Sequence, residues 1–176
     1  MLKTSSLLNI LKITMVYFSA HYLLLFVSGI WWDDWVLHDL DLFRLFDMQG
    51  SFFLAYIHEF LFLLGDNGYR ILTFFIYWCS SIIYYKILQE FSFISTKGAL
   101  WMSMIFACLP LNDARITQIC FFYGLSLLCF LLGFLLIIKR KKMPFCQKKL
   151  LYRIISLLLF FVAFQTSSTL VLFAVC

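Results

Sequence analysis

Long apolar runs separated by short polar stretches set the pattern of this chain. Runs close to membrane-crossing length occupy residues 13–30, 69–88, 98–111, 116–138 and 154–175. About 20 apolar residues are what a helix needs to cross a hydrocarbon core of about 30 Å. The third run is short and stops at Pro110, so it either tilts little or ends inside a cavity that satisfies its backbone. A further apolar stretch, 51–64 (SFFLAYIHEFLFLL), has 14 residues and contains His58 and Glu59. As a helix it rises only about 21 Å, so it is predicted to lie at the interface or re-enter and not to cross. The expected fold is all-α. It is a polytopic transmembrane helix bundle of about five spans, forming one module over residues 1–176, with interfacial helices in an outer loop at 31–68.

Composition supports this class. The chain is 64% hydrophobic and 13% charged, against about 45–50% and about 25% in soluble domains. Phe occurs 22 times and Pro twice, which points to long helices and away from a low-complexity tract. The net charge of +5 does not indicate nucleic acid, because the basic residues cluster beside apolar segments, where anionic lipid headgroups are the fitting partner. Of the six cysteines (79, 108, 120, 129, 146 and 176) none forms a CxxC pair and four lie in apolar runs. There Cys packs as a small hydrophobe, so neither a disulfide framework nor a metal site is expected.

The basic residues also orient the chain. With the N-terminus inside, the inner segments hold Lys3, Lys12, Lys86, Lys97, Lys139, Arg140, Lys141, Lys142, Lys148, Lys149 and Arg153, and the outer segments hold Arg44, Arg70 and Arg115. This is a positive-inside bias. Among the acids only Glu90 falls inside. Counting 51–64 as a span would reverse everything downstream and put the KRKK run at 139–142 outside. An alternative for the N-terminus is a cleaved signal, with Lys3 and Lys12 before the apolar core and Val27-Ser28-Gly29 as cleavage site. The bulky Ile30-Trp31-Trp32 that follows disfavours it.

Candidate chemistry gathers where the first span ends. Asp33 and Asp34 stand among Trp31, Trp32 and Trp35, and indole rings collect at headgroup level. If the chain turns helical there, Asp34, His38 and Asp41 fall within an arc of about 60°. Such a face suits proton transfer from an incoming hydroxyl, and its oxygen ligands also suit a divalent cation. The plainer reading, which spacing alone favours, is the solvated face of an amphipathic helix whose Leu37, Leu40 and Phe43 dip into lipid. Arg70 opens the second span and Arg115 the fourth; each suits forked recognition of phosphate oxygens, or an interface anchor paired with a neighbouring aspartate. His21 and Gln165 lie within spans, where an interhelical hydrogen bond is the common role for a neutral polar group. No GxSxG, HExxH or phosphate-binding glycine loop is present.

The order of parts resembles the N-terminal portion of the C-type membrane glycosyltransferases, which use polyprenyl-phosphate-linked sugars. The features that carry it are WWDDW at 31–35 after the first span, the Arg-headed second span, the short third, and LPLNDARITQICFFYGLSLLCFLLGF at 109–134 leading into the fourth. The resemblance implies an outer-side transferase in which Asp33 and Asp34 are catalytic. Trp35, His38, Asp41, Arg70 and Arg115 would contact a polyprenyl-phosphate-linked sugar donor and a glycan or lipid acceptor. It implies an integral multi-pass protein of a bacterial cytoplasmic membrane, and the front part of a longer protein or an inactive truncated fragment. The reading from another class is a non-enzymatic assembly or carrier subunit in which WWDDW is an interface girdle.

The orientation yields a direct test. In Asp47→Cys and Lys141→Cys variants, a membrane-impermeant thiol reagent applied from outside should label position 47 and leave 141 protected. The reverse pattern would overturn the assignment.

Overall fold

The computed structural model describes residues 2–26, 29, 34–39, 41–48, 52–109, 118, 120–142 and 147–165. Among them every regular element is helical: α1 (Leu2–His21), continued by a 3-10 turn (Tyr22–Phe26), then α2 (Asp34–Asp39), α3 (Leu42–Met48), α4 (Phe53–Phe62), α5 (Gly65–Leu88), α6 (Thr96–Cys108), α7 (Phe121–Lys141) and α8 (Gln147–Ala163). Three stretches are long and apolar enough to cross a membrane: Ser6–Phe26, Asn67–Leu88 and Phe121–Lys141.

The five-span expectation is met in part. The short third run is a helix of 13 residues, about 20 Å long and well under a hydrocarbon thickness. Ser95 caps its start by accepting from the Gly98 amide at 3.1 Å. Leu109 ends it in an extended conformation (φ −52°, ψ 127°), as the residue before a proline prefers. The last run begins earlier than expected, with a 17-residue helix that takes in the basic stretch before 154; its continuation past 165 lies outside the described residues. The first run also begins earlier than residue 13, because Asn9 and Lys12 are tolerated inside the helix.

Polar side chains inside the bundle explain that tolerance. The Asn9 amide donates to the Tyr85 hydroxyl at 2.9 Å. The Trp78 indole donates to Thr14 Oγ1 at 3.0 Å, and the Tyr17 hydroxyl donates to the Phe74 carbonyl at 2.8 Å. These pairings run in opposite order along α1 and α5, so the two helices are antiparallel. His21 Nε2 donates to the Ala107 carbonyl at 2.8 Å, joining the ends of α1 and α6, which run parallel. Around these bonds Ile13, Tyr17, Phe74, Tyr77, Tyr85, Ala99 and Ala107 form one buried cluster.

A second cluster joins α5, α7 and α8. Two glycines permit its close approaches: a Cβ on Gly124 would stand 3.1 Å from the Tyr77 ring, and one on Gly133 would stand 3.3 Å from the Ser156 carbonyl and from Phe160. At the far end of these helices Lys142 pairs with Glu90, which ties the end of α7 to the turn after α5. The C-termini of α5 and α7 therefore share one end of the bundle. A third cluster packs α2, α3 and α4 over the starts of α5 and α7, making a head at the opposite end. The 51–64 segment belongs to that head. Its helix has ten residues, too few to cross.

Gly65, with φ +68°, makes the elbow between α4 and α5 in a conformation that suits glycine. The bundle's outward faces stay apolar: Leu7, Leu11 and Met15 on α1, Trp101 and Ile105 on α6, and Leu157 and Phe161 on α8 are all exposed. Soluble monomers rarely expose so much contiguous apolar surface.

The tight α5–α7 contact predicts a clear packing effect. Gly124→Leu should lower stability by about 1–3 kcal/mol, read as a lower unfolding midpoint in detergent, whereas Tyr123→Leu, at an exposed neighbouring position, should leave the midpoint near that of the unaltered chain.

Candidate functional site at the head of the bundle

The head holds three short helices above the starts of two long ones, and several polar side chains are drawn into it. Asp34 is the first residue of α2, where a carboxylate complements the partial positive charge of the helix start. It is fully enclosed and engaged by its surroundings. Leu37, one turn on, is also buried. His38 is more open: its Nε2 donates to the Gln118 side-chain carbonyl at 3.2 Å, and its ring sits 5.1 Å from that of Phe62.

The single face expected for Asp34, His38 and Asp41 does not form. α2 ends at Asp39, and Asp41 instead opens α3, accepting from the Phe43 amide at 3.0 Å and the Arg44 amide at 3.4 Å. Local capping by an aspartate competes with helix continuation, and here it wins. Asp33, Arg115 and the Trp35 side chain lie outside the described residues, so the structure brings together only part of the expected constellation.

Arg70 is the most unusual residue of the head. It is 4% exposed, and its Nη2 donates to the Gly29 carbonyl. Its Nε and Nη1 are buried and have no hydrogen-bond partner among the described residues. Enclosing a guanidinium whose N–H groups are unmet costs several kcal/mol. Two N–H donors of a buried guanidinium are thus left unmet among the described residues.

His58 was noted in the sequence only as a reason against a sixth span. In the structure it lies at the centre of the head. Leu54, Ala55, His58 and Leu61 form the buried face of α4, and that spacing was readable as a helical stripe. The imidazole stacks on Phe46 (5.0 Å, 14°) and meets Phe122 edge-on at 4.7 Å. Its Nδ1 and the Tyr69 hydroxyl share a hydrogen bond at 2.5 Å, the hydroxyl also reaches the His58 carbonyl at 3.4 Å, and Nε2 is buried without a hydrogen-bond partner among the described residues. Burial holds this histidine neutral, with its pKa lowered from 6.5 to about 4. Tyr69 precedes Arg70 on α5, so the His58–Tyr69 bond fixes α4 against the turn that carries Arg70.

On the outward side of α4 lies an open depression of about 610 Å³ lined by Leu42, Tyr56, Glu59, Phe60, Phe62 and Leu63. Its walls are apolar and aromatic, with Glu59 the one carboxylate among them. Among the described residues no three His, Cys, Asp or Glu side chains converge in a way that would hold a metal ion. Cys79, Cys108 and Cys129 are free thiols. No family model, curated protein or solved structure matches the chain.

The buried imidazole predicts a pH dependence. The unfolded chain binds a proton at His58 near pH 6.5 while the folded one resists until about 4. Stability is therefore full above about 6.5 and falls as pH drops towards 4, by on the order of 3 kcal/mol at the limit. His58→Phe keeps the aromatic packing and removes the titration. The difference in unfolding midpoint between the two proteins should narrow or change sign as pH is lowered from neutral to about 4, and a constant difference would reject the assignment.

Proposed function

We propose that this chain is a multi-pass membrane protein that binds the phosphate of a lipid-linked sugar donor at Arg70, as part of a glycosyltransferase. The observation that carries the reading is the buried guanidinium with two unmet donors. A phosphate accepts forked N–H bonds from one arginine, and a lipid phosphate brings an apolar tail suited to a head that rests on apolar helices. The aromatic depression beside α4 offers room for the donor's sugar or for the start of its isoprenoid chain.

The exposed apolar flanks of α1, α6 and α8 support the membrane setting. The basic residues at the α5–α7 end support an orientation with that end in the cytoplasm and the head outside, as in a bacterial cytoplasmic membrane. On this reading Asp34 is the base that accepts the acceptor's hydroxyl proton, and Asp33 is its neighbour. Because Asp34 is fully enclosed, the acceptor reaches it only when the short helices of the head part.

The same enclosure favours a second reading. An aspartate sealed at the start of a helix and engaged by its own chain is also what a structural carboxylate looks like, and a non-enzymatic assembly subunit would use it so.

Reconstituted protein separates the readings. Arg70→Gln should weaken binding of polyprenyl phosphate in nanodiscs by roughly 10- to 100-fold, the worth of a charge-assisted bond of about 1.5–3 kcal/mol. Asp34→Asn should abolish sugar transfer from a lipid-phosphate donor while leaving polyprenyl phosphate binding and membrane levels unchanged. Equal binding by the Arg70 variant would reject the phosphate site. Binding without transfer in the unaltered protein, together with a destabilised Asp34 variant, would favour the assembly subunit.

A further inference from the structure

The other end of the bundle carries a second group of cations. α7 closes with Lys139, Arg140 and Lys141, and Lys142 follows. α8, its most extensively packed neighbour, has Lys149 in its first turn and Arg153 one turn later, with no acidic residue in the first turn. The α7 cations have an ordinary explanation, because a helix C-terminus bears partial negative charge and attracts them. Those of α8 have no such dipole partner: the positive-inside bias sets their side of the membrane, but Lys149 stands in the first turn, where the helix dipole repels cations and acids are usually found.

Compensation within the chain is scarce. Glu90 is taken by Lys142, and the only later acid in the sequence, Asp113, precedes the start of α7. Lys139, Arg140 and Lys149 are partly buried, and Arg140 Nε is enclosed without a hydrogen-bond partner. Partial desolvation strengthens attraction for an anion. Directly after Lys149 the surface turns apolar, with Leu150, Leu151, Ile154, Leu157, Leu158 and Phe161 exposed. A ligand suited to this surface is amphiphilic, anionic at the hairpin and apolar along α8.

We infer that the α7–α8 hairpin end is a binding site for the headgroup of an anionic phospholipid, whose acyl chains lie on the exposed face of α8. The inference rests on the membrane setting and not on the Arg70 site, which lies at the opposite end. Basic pockets beside spans on the cytoplasmic side are suited to such headgroups. Lys139 and Arg140 would contact the phosphate from α7, and Lys149 and Arg153 from α8.

The test uses the full chain in nanodiscs of phosphatidylcholine with a minor share of phosphatidylglycerol, and native mass spectrometry of the lipids it retains on release. The unaltered protein should be enriched in phosphatidylglycerol, less so at high salt. Lys149→Gln with Arg153→Gln should reduce the enrichment by roughly 25-fold, about fivefold per charge at about 1 kcal/mol each. Lys86→Gln with Lys97→Gln removes two cations from the same end but off the hairpin, and should leave retention unchanged. No enrichment in the unaltered protein, or equal retention by the hairpin variant, would overturn the inference. Equal loss in the Lys86/Lys97 variant would mean a diffuse field and no site, and displacement by inorganic phosphate would mean a free-anion site. Each of these also rejects the inference. Polyprenyl phosphate binding at Arg70 should be unaffected by either variant, so failure here is distinguishable from failure of the head site.

Discussion

Hydrogen bonding across the α1–α5 and α1–α6 contacts is the constraint on which the rest of the fold depends. An apolar interior offers polar groups no water, so each must find its partner within the chain or carry the cost of going without. Asn9, Thr14, Tyr17 and His21 all do so, on Tyr85, Trp78, the Phe74 carbonyl and the Ala107 carbonyl. Apolar packing alone specifies register weakly, because one leucine resembles the next. Four bonds at different heights fix the rotation and height of α1 together. With α1 and α6 set against α5, the tight glycine contacts of α7 can form on α5's remaining face.

The head follows a different rule. Its helices are too short to hold themselves, since isolated helices under about 12 residues are marginal. They are held by aromatic burial around His58 and by the Tyr69 hydroxyl. Two polar residues in this region depart from full satisfaction, His58 at Nε2 and Arg70 at Nε and Nη1. They occupy neighbouring places through Tyr69 and Arg70 on one helix. Unmet polar atoms in a region otherwise well packed mark where a fold has kept something other than its own stability in view.

Much of the architecture was legible from run lengths. The apolar runs located α5, α6 and α7 closely, and the 14-residue length of 51–64 pointed to a helix short of crossing length, as the ten residues of α4 are. The start of α1 was misjudged because a hydropathy run stops at Lys12 and Asn9, while the folded helix continues through them once Asn9 meets Tyr85. The proposed acidic face failed for a local reason. Spacing assumes an unbroken helix, but α2 ends at Asp39 and Asp41 caps the start of α3. Arg70 was readable as a candidate because arginine suits forked recognition of phosphate oxygens. Its burial was not, since it depends on Gly29, 41 residues away. His58 carried a legible signal in the stripe of Leu54, Ala55 and Leu61, but its tyrosine partner belongs to the next helix.

The bonds of α1 also bear on how the chain is made. Their partners lie 57, 64, 76 and 86 residues further along. On the membrane reading, α1 leaves the ribosome and enters the bilayer well before α5 and α6 exist. Throughout that interval its asparagine, threonine, tyrosine and histidine lack the partners they have in the finished bundle. The first helix therefore spends its early life as a poor lipid solute, held near the insertion machinery until its partners are synthesised. A defect in α5 would then be felt first as retention or removal of α1, far upstream of the altered residue.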